Sequence, residues 1–187
     1  GTEKEVFVMK KTFAIILAAM LIFGVTIMPA QTSVHAEDAH RHVTKEMVAE
    51  EAATRGIYGR IIIEELDINV ALFFTDDYDR LQDIVDDEDS ACMFDWEDGN
   101  RMVLDHNYQA FAPLEKQKAE RMEIVTAEGR MGYRCTERIE DACNTGEHLT
   151  RADGTPILAE GEGTLVLYTC RDNAEGGVVV TIWEAIR

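Results

Sequence analysis

A series of short apolar runs separated by turn residues constrains the fold of this chain more than any other feature of its sequence. The runs are rich in β-branched and aromatic residues, which is typical of strands. They lie at 57–63, 68–74, 91–94, 102–104, 122–126, 131–136, 163–170 and 178–183. Many short strands with few helices predict a mostly β domain, built on a closed and mostly antiparallel sheet.

Helices are predicted in three short segments between these runs. Residues 43–55 have a helix-forming composition, and a second short helix is predicted at 78–84. A third is predicted at 111–119, with Pro113 in its first turn. Residues 137–156 are polar and are predicted to form a long loop.

The N-terminal segment has the features of a secretory signal peptide. Two lysines follow Met9, residues 13–28 are largely apolar, and Val34 and Ala36 suit the −3 and −1 positions of a cleavage site. We therefore predict a signal peptide at 1–36 (with 1–8 an artefact before the start at Met9), a tail and helix at 37–55, and a folded domain at 56–187. The alternative is an uncleaved membrane anchor, because the apolar run lies near the lower length limit for a membrane span.

The chain is strongly acidic. Its 187 residues include 36 Asp and Glu against 18 Lys and Arg, giving a net charge of −18. Such a surface repels the phosphates of nucleic acids and anionic lipids, so we exclude nucleic-acid partners, and we expect membrane association only if the N-terminal segment is retained. The charge would favour cationic or amine-bearing partners, although solubility outside the cell explains it more simply.

Two residues with the chemistry of a thiol enzyme follow two of the predicted strands. Cys170 ends the run at 163–170, and His106 follows the run at 102–104. A cysteine and a histidine at the ends of two strands can be distant in sequence but near in space, and can then act as nucleophile and proton-transfer partner. The alternative interpretation is a small buried cysteine and an unrelated surface histidine. His148 is a rival base, but it lies in the predicted loop with no strand to position it.

The order of these motifs resembles the sortases, the cysteine transpeptidases of Gram-positive cell envelopes. The resemblance rests on Leu167-x-Thr169-Cys170, on His106-Asn107 followed by the sequence FAPL at 111–114, and on the strand pair at 57–70. It implies an eight-stranded β-barrel with Cys170 as nucleophile and His106 as its partner. It also implies a peptide or protein substrate, an amine acceptor, and a location in the cell envelope or outside the cell.

The sequence departs from the family pattern in two places. Sortases carry an arginine on the strand after the cysteine, where it stabilises the oxyanion, but Gly176 or Gly177 takes that position here. Arg171, next to Cys170, is the candidate replacement. Asp105 precedes His106 at a position where glycine is usual. A sortase-fold module that binds an envelope peptide without catalysis is therefore the alternative function.

The remaining cysteines and the acidic segments suggest further sites. A catalytic Cys170 must stay free, and in a secreted protein Cys135 and Cys143 are the favoured disulfide pair, leaving Cys92 buried and reduced. A Cys92–Cys170 bridge is the alternative, and it would exclude catalysis. The acidic residues at 83–89 lack the glycine and terminal glutamate of an EF-hand, so calcium is not favoured and no cofactor is predicted.

Overall fold

The computed structural model describes residues 42–87, 89–96, 99–146, 148–159, 161, 163–171 and 177–187. The helices in these ranges are α1 (Lys45–Arg55), α2 (Tyr78–Val85) and α3 (Ala112–Lys116), with a 3₁₀ turn at Glu64–Leu66. The strands are β1 (Gly59–Ile63), β2 (Ile68–Phe74), β3 (Ser90–Asp95), β4 (Arg101–Leu104), β5 (Arg121–Thr126), β6 (Arg130–Asn144), β7 (Leu149–Thr150), β8 (Thr164–Cys170) and β9 (Gly177–Ala185).

The strands form one sheet that closes on itself. Its order is β5-β1-β2-β3-β4-β8-β9-β6-β7, and an additional pairing joins β5 to β6. This pairing closes a barrel of eight strands, while β7 extends the sheet beside the end of β6. The β2–β3 and β4–β8 pairs are parallel, and the other pairs within the described ranges are antiparallel. The predicted mostly β fold with an eight-stranded barrel is confirmed.

The two faces of the sheet carry separate hydrophobic cores. The inner core takes buried side chains from all eight barrel strands, and the loop before α3 adds Phe111 to it. The outer core packs helix α2 against β3, β4, β8 and β9. Strand β8 shows the alternation directly, because Leu165 and Leu167 belong to the inner core and Val166 and Tyr168 to the outer one. Cys170, two residues after Tyr168, continues the outer row.

Helix α1 covers the barrel on the side of β1, β2 and β5. The Thr44 side chain caps it by accepting a hydrogen bond from Met47 N, and Gly56 ends it in the left-handed conformation with φ of 74°. Val48 is fully buried against this side of the sheet. The predicted signal peptide and cleavage site lie outside the described residues. None of the described helices has the length and apolar character needed to cross a membrane.

The prediction of a long loop at 137–156 is wrong. Strand β6 continues to Asn144 and pairs with β9 over most of its length, and β7 follows at Leu149–Thr150. The strand was not recognised because much of it is exposed and polar, and because register shifts at 135–137 and 139–142 interrupt its alternation. The predicted helix at 111–119 is also shorter, since Gln117 is already extended.

The predicted disulfide between Cys135 and Cys143 is wrong as well. Both cysteines lie on β6, where Cys135 pairs with Trp183 and Cys143 with Gly177 on β9. The strand between them spans roughly 25 Å, whereas the Cα atoms of a disulfide lie within about 7 Å of each other. All four cysteines are free, so the alternative Cys92–Cys170 bridge is absent too, and Cys92 is buried.

Gly59 is a position where the barrel wall has no room for a side chain. A Cβ atom there would lie 2.6 Å from the carbonyl oxygen of Val125, in the pairing of β1 with β5. We expect Gly59→Ala to lower the free energy of unfolding by about 1–3 kcal/mol, measured by urea denaturation. Gly129→Ala is the control, because a Cβ at Gly129 meets no atom within 4 Å. Equal stability of the two variants would contradict this description of the wall.

Candidate active site

The parallel pairing of β4 with β8 brings the predicted thiol and imidazole to the same end of the barrel. The last paired residues are Leu104 on β4 and Tyr168 on β8. His106 lies two residues beyond Leu104, and Cys170 lies two residues beyond Tyr168, so both residues lie at this end of the sheet. The residues that the sequence analysis joined by motif order thus follow adjacent strands at one edge of the sheet.

Asp105 holds the loop that carries His106 in this register. Its backbone carbonyl accepts a hydrogen bond from Thr169 Oγ1 at 2.9 Å, which extends the contact between the two chains beyond the last paired residues. Its carboxylate accepts bonds from His106 N at 2.7 Å and from Phe111 N at 3.2 Å. Asp105 is buried, and this desolvation raises its pKa to about 6 against the opposing effect of the backbone donors. The aspartate at the usual glycine position therefore organises the loop.

The side chain of His106 is held by the C-terminal end of α2 and by Tyr108. His106 Nε2 lies 3.0 Å from Asp86 Oδ1, and Gln82 Nε2 donates to the same oxygen at 2.8 Å. The imidazole stacks on the Tyr108 ring with centroids 4.7 Å apart and planes 12° apart. The hydrogen bond from His106 is the main cause that lowers the pKa of Asp86, followed by the bond from Gln82.

Asp86 is the residue of this site that the sequence analysis missed. It was grouped with the acidic residues at 83–89 and given no role beyond a disfavoured calcium loop. No spacing rule connects it to His106, because the contact depends on where α2 ends against the barrel. The N-cap Asp77 and the amphipathic pattern of α2 were the signals that could have located that end.

Cys170 is exposed at the end of β8, opposite Val178 on β9. The protein atoms around its sulfur desolvate the thiolate and raise the pKa of the thiol above its ordinary value. Cys170 is therefore a neutral thiol at neutral pH, and no cation in the described part of the chain offsets the desolvation. Val178, opposite Cys170 on β9, is buried and apolar and supplies no charge.

Arg171 is directed away from Cys170. Its backbone N–H donates to Gly177 O at 2.9 Å, so the pairing of β8 with β9 continues beyond Cys170. Adjacent residues of an extended chain point to opposite faces, and Arg171 Nη1 donates to Glu140 O on β6 at 2.6 Å. The structure brings together the chain segments of Cys170 and His106 but places Arg171 against β6.

The rival base His148 lies elsewhere. It follows a tight turn between β6 and β7, where its backbone N–H donates to Thr145 Oγ1 at 3.1 Å. Its side chain lines a cavity on the outer face, together with aromatic residues of α2 and β3. Within the described ranges, no three His, Cys, Asp or Glu side chains are grouped so that they could hold a metal ion.

Comparison with solved structures shows which fold this arrangement belongs to. Sortase C-1 from Actinomyces oris matches with a TM-score of 0.51 and 11% identity, over 76% of this chain and 79% of that chain. The fold is that of the sortases. Sortase C of Streptococcus pneumoniae matches with a TM-score of 0.51 and 14% identity, over 71% and 68% of the two chains. Group B Streptococcus Pilus Island 1 sortase C2 matches with a TM-score of 0.51 and 11% identity, over 71% of this chain and 76% of that chain.

Identities this low establish the sortase fold and leave the chemistry to be argued from the residues. No protein-family model matches the sequence, and no curated protein matches it. The site of this chain combines a cysteine and a histidine on adjacent strand ends with Asp86 and Asp105 around the histidine.

The buried carboxyl group of Asp105 makes stability depend on pH. Its pKa of about 6 exceeds the value of about 3.9 for an unfolded aspartate, so the folded protein binds the proton more tightly. The stabilisation is therefore present below pH ~4 and is lost as the pH rises through ~6. Relative to Asp105→Asn, we expect the unfolding free energy of the wild type to fall by on the order of 2–3 kcal/mol between pH 4 and 7.

Urea denaturation at a series of pH values measures this difference. Asp83→Asn is the control. Asp83 is exposed on α2, so the difference in unfolding free energy between this variant and the wild type should change little with pH. A difference between wild type and Asp105→Asn that does not vary with pH would contradict the raised pKa of Asp105.

Proposed function

We propose that the protein is a cysteine transpeptidase or peptidase of the cell envelope or extracellular space, which transfers an acyl group through a thioester on Cys170. The observation that supports this proposal is the β4–β8 register, which brings the loop of His106 and the exposed Cys170 to the same end of the sheet. The sortase fold supports it, because the matched structures are named as sortases. The substrate would be a peptide or protein of the envelope, with an amine as acceptor.

In the proposed reaction, His106 takes the proton of the Cys170 thiol as the sulfur attacks a peptide carbonyl carbon. The C–N bond then breaks, and the imidazolium of His106 gives its proton to the departing amine, which leaves a thioester. An incoming amine or water attacks the thioester and transfers a proton to His106. The C–S bond breaks and the thiolate of Cys170 recovers that proton, so the enzyme returns to its starting state.

Asp86 acts in this scheme as a positioning residue. With Nε2 of His106 bonded to Asp86 Oδ1, the Nδ1 atom is the one left to exchange a proton with Cys170. The carboxylate also stabilises the imidazolium that forms during thiol attack and thioester hydrolysis. The exposed position of Asp86 limits this contribution through solvent screening.

Oxyanion stabilisation is the weak part of the site. With Arg171 bonded to Glu140 O and Val178 opposite Cys170, neither residue provides a cation for the tetrahedral intermediate. The absence of one such donor commonly costs about 10²–10³ in rate. We therefore expect slow acylation by an unactivated peptide bond and faster acylation by activated esters or thioesters.

A second function, binding of an envelope peptide without catalysis, is favoured by two of these observations. The raised pKa of Cys170 lowers the thiolate fraction at neutral pH, and the Arg171 guanidinium is used in a contact with β6. The two functions differ in whether Cys170 becomes acylated.

Covalent labelling tests the proposed nucleophile. A peptide vinyl sulfone should modify the wild type at Cys170, because the thiol adds to the electrophile with help from His106. We expect Cys170→Ala to abolish the adduct and His106→Ala to slow its formation at least tenfold, measured by intact and peptide mass spectrometry. Cys143→Ala is the control, since Cys143 is the other exposed cysteine. An adduct on Cys92 or Cys143 with Cys170 unmodified would contradict the proposal.

Substitution of Arg171 tests whether its contact with β6 persists during the reaction. Because its guanidinium donates to Glu140 O, we expect Arg171→Ala to lower the rate of acylation less than tenfold, measured with a peptide thioester under single-turnover conditions. A decrease of about 10² or more, with an unchanged circular dichroism spectrum, would show instead that Arg171 leaves Glu140 and serves as the oxyanion donor.

A further inference from the structure

A cavity of about 580 Å³ opens on the outer face of the barrel, between the start of α2, the end of β3 and the turn before β7. Three aromatic rings form one side of it. Tyr78 and Phe94 meet edge to face at 6.5 Å between centroids, and Phe94 and Trp96 lie 5.4 Å apart with a tilt of 41°. Phe94 is buried, whereas Tyr78 is 63% exposed. The rings of Tyr78 and the partly exposed Trp96 are therefore the ones that a ligand can contact, and the buried Phe94 ring packs against both.

Two carboxylates line the same cavity, and they differ in how their charge is compensated. Asp95 accepts hydrogen bonds from Arg101 at 2.7 and 3.0 Å, so its charge is already paired. Asp76 has no hydrogen bond or ion pair with any residue of the described part of the chain. The cavity thus combines aromatic faces with one unpaired negative charge, in a protein of net charge −18.

We propose that this cavity binds a basic side chain, lysine or arginine, of a peptide. Aromatic faces attract cations, with Trp and Tyr among the best, and the carboxylate of Asp76 adds an ion pair. An acidic or phosphate group is disfavoured by Asp76 and by the surrounding negative charge. A neutral aliphatic side chain gains contact with the rings but nothing from the carboxylate.

The position of the cavity relative to Cys170 favours a peptide as the occupant. Phe94 pairs with Met102 on β4, and Met102 pairs with Val166 on β8. Cys170 lies four residues further along β8, and Phe94 lies two strands away from β8, so Phe94 and Cys170 are roughly 16 Å apart. An extended peptide bound at Cys170 would therefore reach the cavity with a residue five or more positions away, after passing around α2, which covers the strands between them. The choice of a peptide rests on the proposed function, whereas the preference for a basic side chain rests on the cavity alone.

Nuclear magnetic resonance of the two tryptophans provides the test. The full chain, labelled with ¹⁵N, is titrated with a blocked pentapeptide, Ac-Gly-Ala-X-Ala-Gly-amide, in which X is lysine, norleucine or glutamate. Trp96 lines the cavity, so its indole N–H signal should move on binding. The indole of Trp183 is buried and donates to Thr181 at 2.8 Å, so its signal serves as an internal reference. We expect the lysine peptide to bind about tenfold more tightly than the norleucine peptide, and the glutamate peptide more weakly than both.

Variants separate the two parts of the cavity. Asp76→Asn should weaken binding of the lysine peptide about fivefold and leave binding of the norleucine peptide unchanged. Asp83→Asn, which removes an exposed acid on α2 that does not line the cavity, should change neither. Trp96→Leu should weaken binding of both peptides. Because this variant lacks the Trp96 indole, its titration is followed by the other signals that move on binding. Equal affinities for the lysine and norleucine peptides, or no effect of Asp76→Asn, would overturn the inference.

The same titration with Cys170→Ala keeps this inference distinct from the proposed catalysis. Preferential lysine binding that persists in Cys170→Ala supports the cavity whether or not Cys170 is acylated. Acylation of Cys170 without any preference for the lysine peptide would leave the proposed function standing and refute the cavity site.

Discussion

The parallel contact between β4 and β8 is the interaction on which the candidate site depends. Sequence-distant strands meet here, and the contact ends in the side-chain bond from Thr169 to the Asp105 carbonyl. Beyond that bond the loop of His106 leaves the sheet, whereas β8 continues through Cys170 in its pairing with β9. Without this register, the cysteine and the histidine would be separate surface groups. The rest of the barrel closes the sheet so that these two strands are neighbours, and α2 adds the acid that orients the imidazole.

The two carboxylates around His106 have opposite environments and therefore opposite roles. Asp105 is buried and its pKa is raised by desolvation, so it serves to organise the loop through its bonds to backbone donors. Asp86 is exposed and its pKa is lowered by the bond from His106, so it is a carboxylate at neutral pH and can orient the ring. Asp105 precedes His106 in the sequence, but its carboxylate is buried and bonded to backbone donors. The carboxylate that contacts the imidazole is therefore that of the more distant Asp86.

The sequence allowed much of the barrel to be predicted, because alternation and turn residues are local signals. The run at 68–74 was predicted with its observed bounds, and the helix at 78–84 is one residue longer in the structure. Strand β6 was lost because its exposed, polar character and irregular register remove the period-two pattern. The predicted Cys135–Cys143 disulfide is wrong for the same reason, because both cysteines lie on the one continuous strand β6. The positions of Cys170 and His106 relative to strands were predictable, whereas the contacts of Asp86 and Arg171 depend on tertiary packing.

The adjacency of His106 and Cys170 is tested most directly by cross-linking. We expect oxidation of His106→Cys to form a disulfide with Cys170, because each position lies two residues beyond the last pair of the β4–β8 register, and neighbouring chains in register bring Cα atoms within the range that a disulfide spans. The linked peptides are identified by mass spectrometry, and Met131→Cys, at the β5–β6 pairing, is the matched control that should not link to Cys170. A disulfide between positions 106 and 170 in high yield is the predicted result. Its absence, with Cys170 still open to alkylation, would contradict the β4–β8 register as the origin of the site.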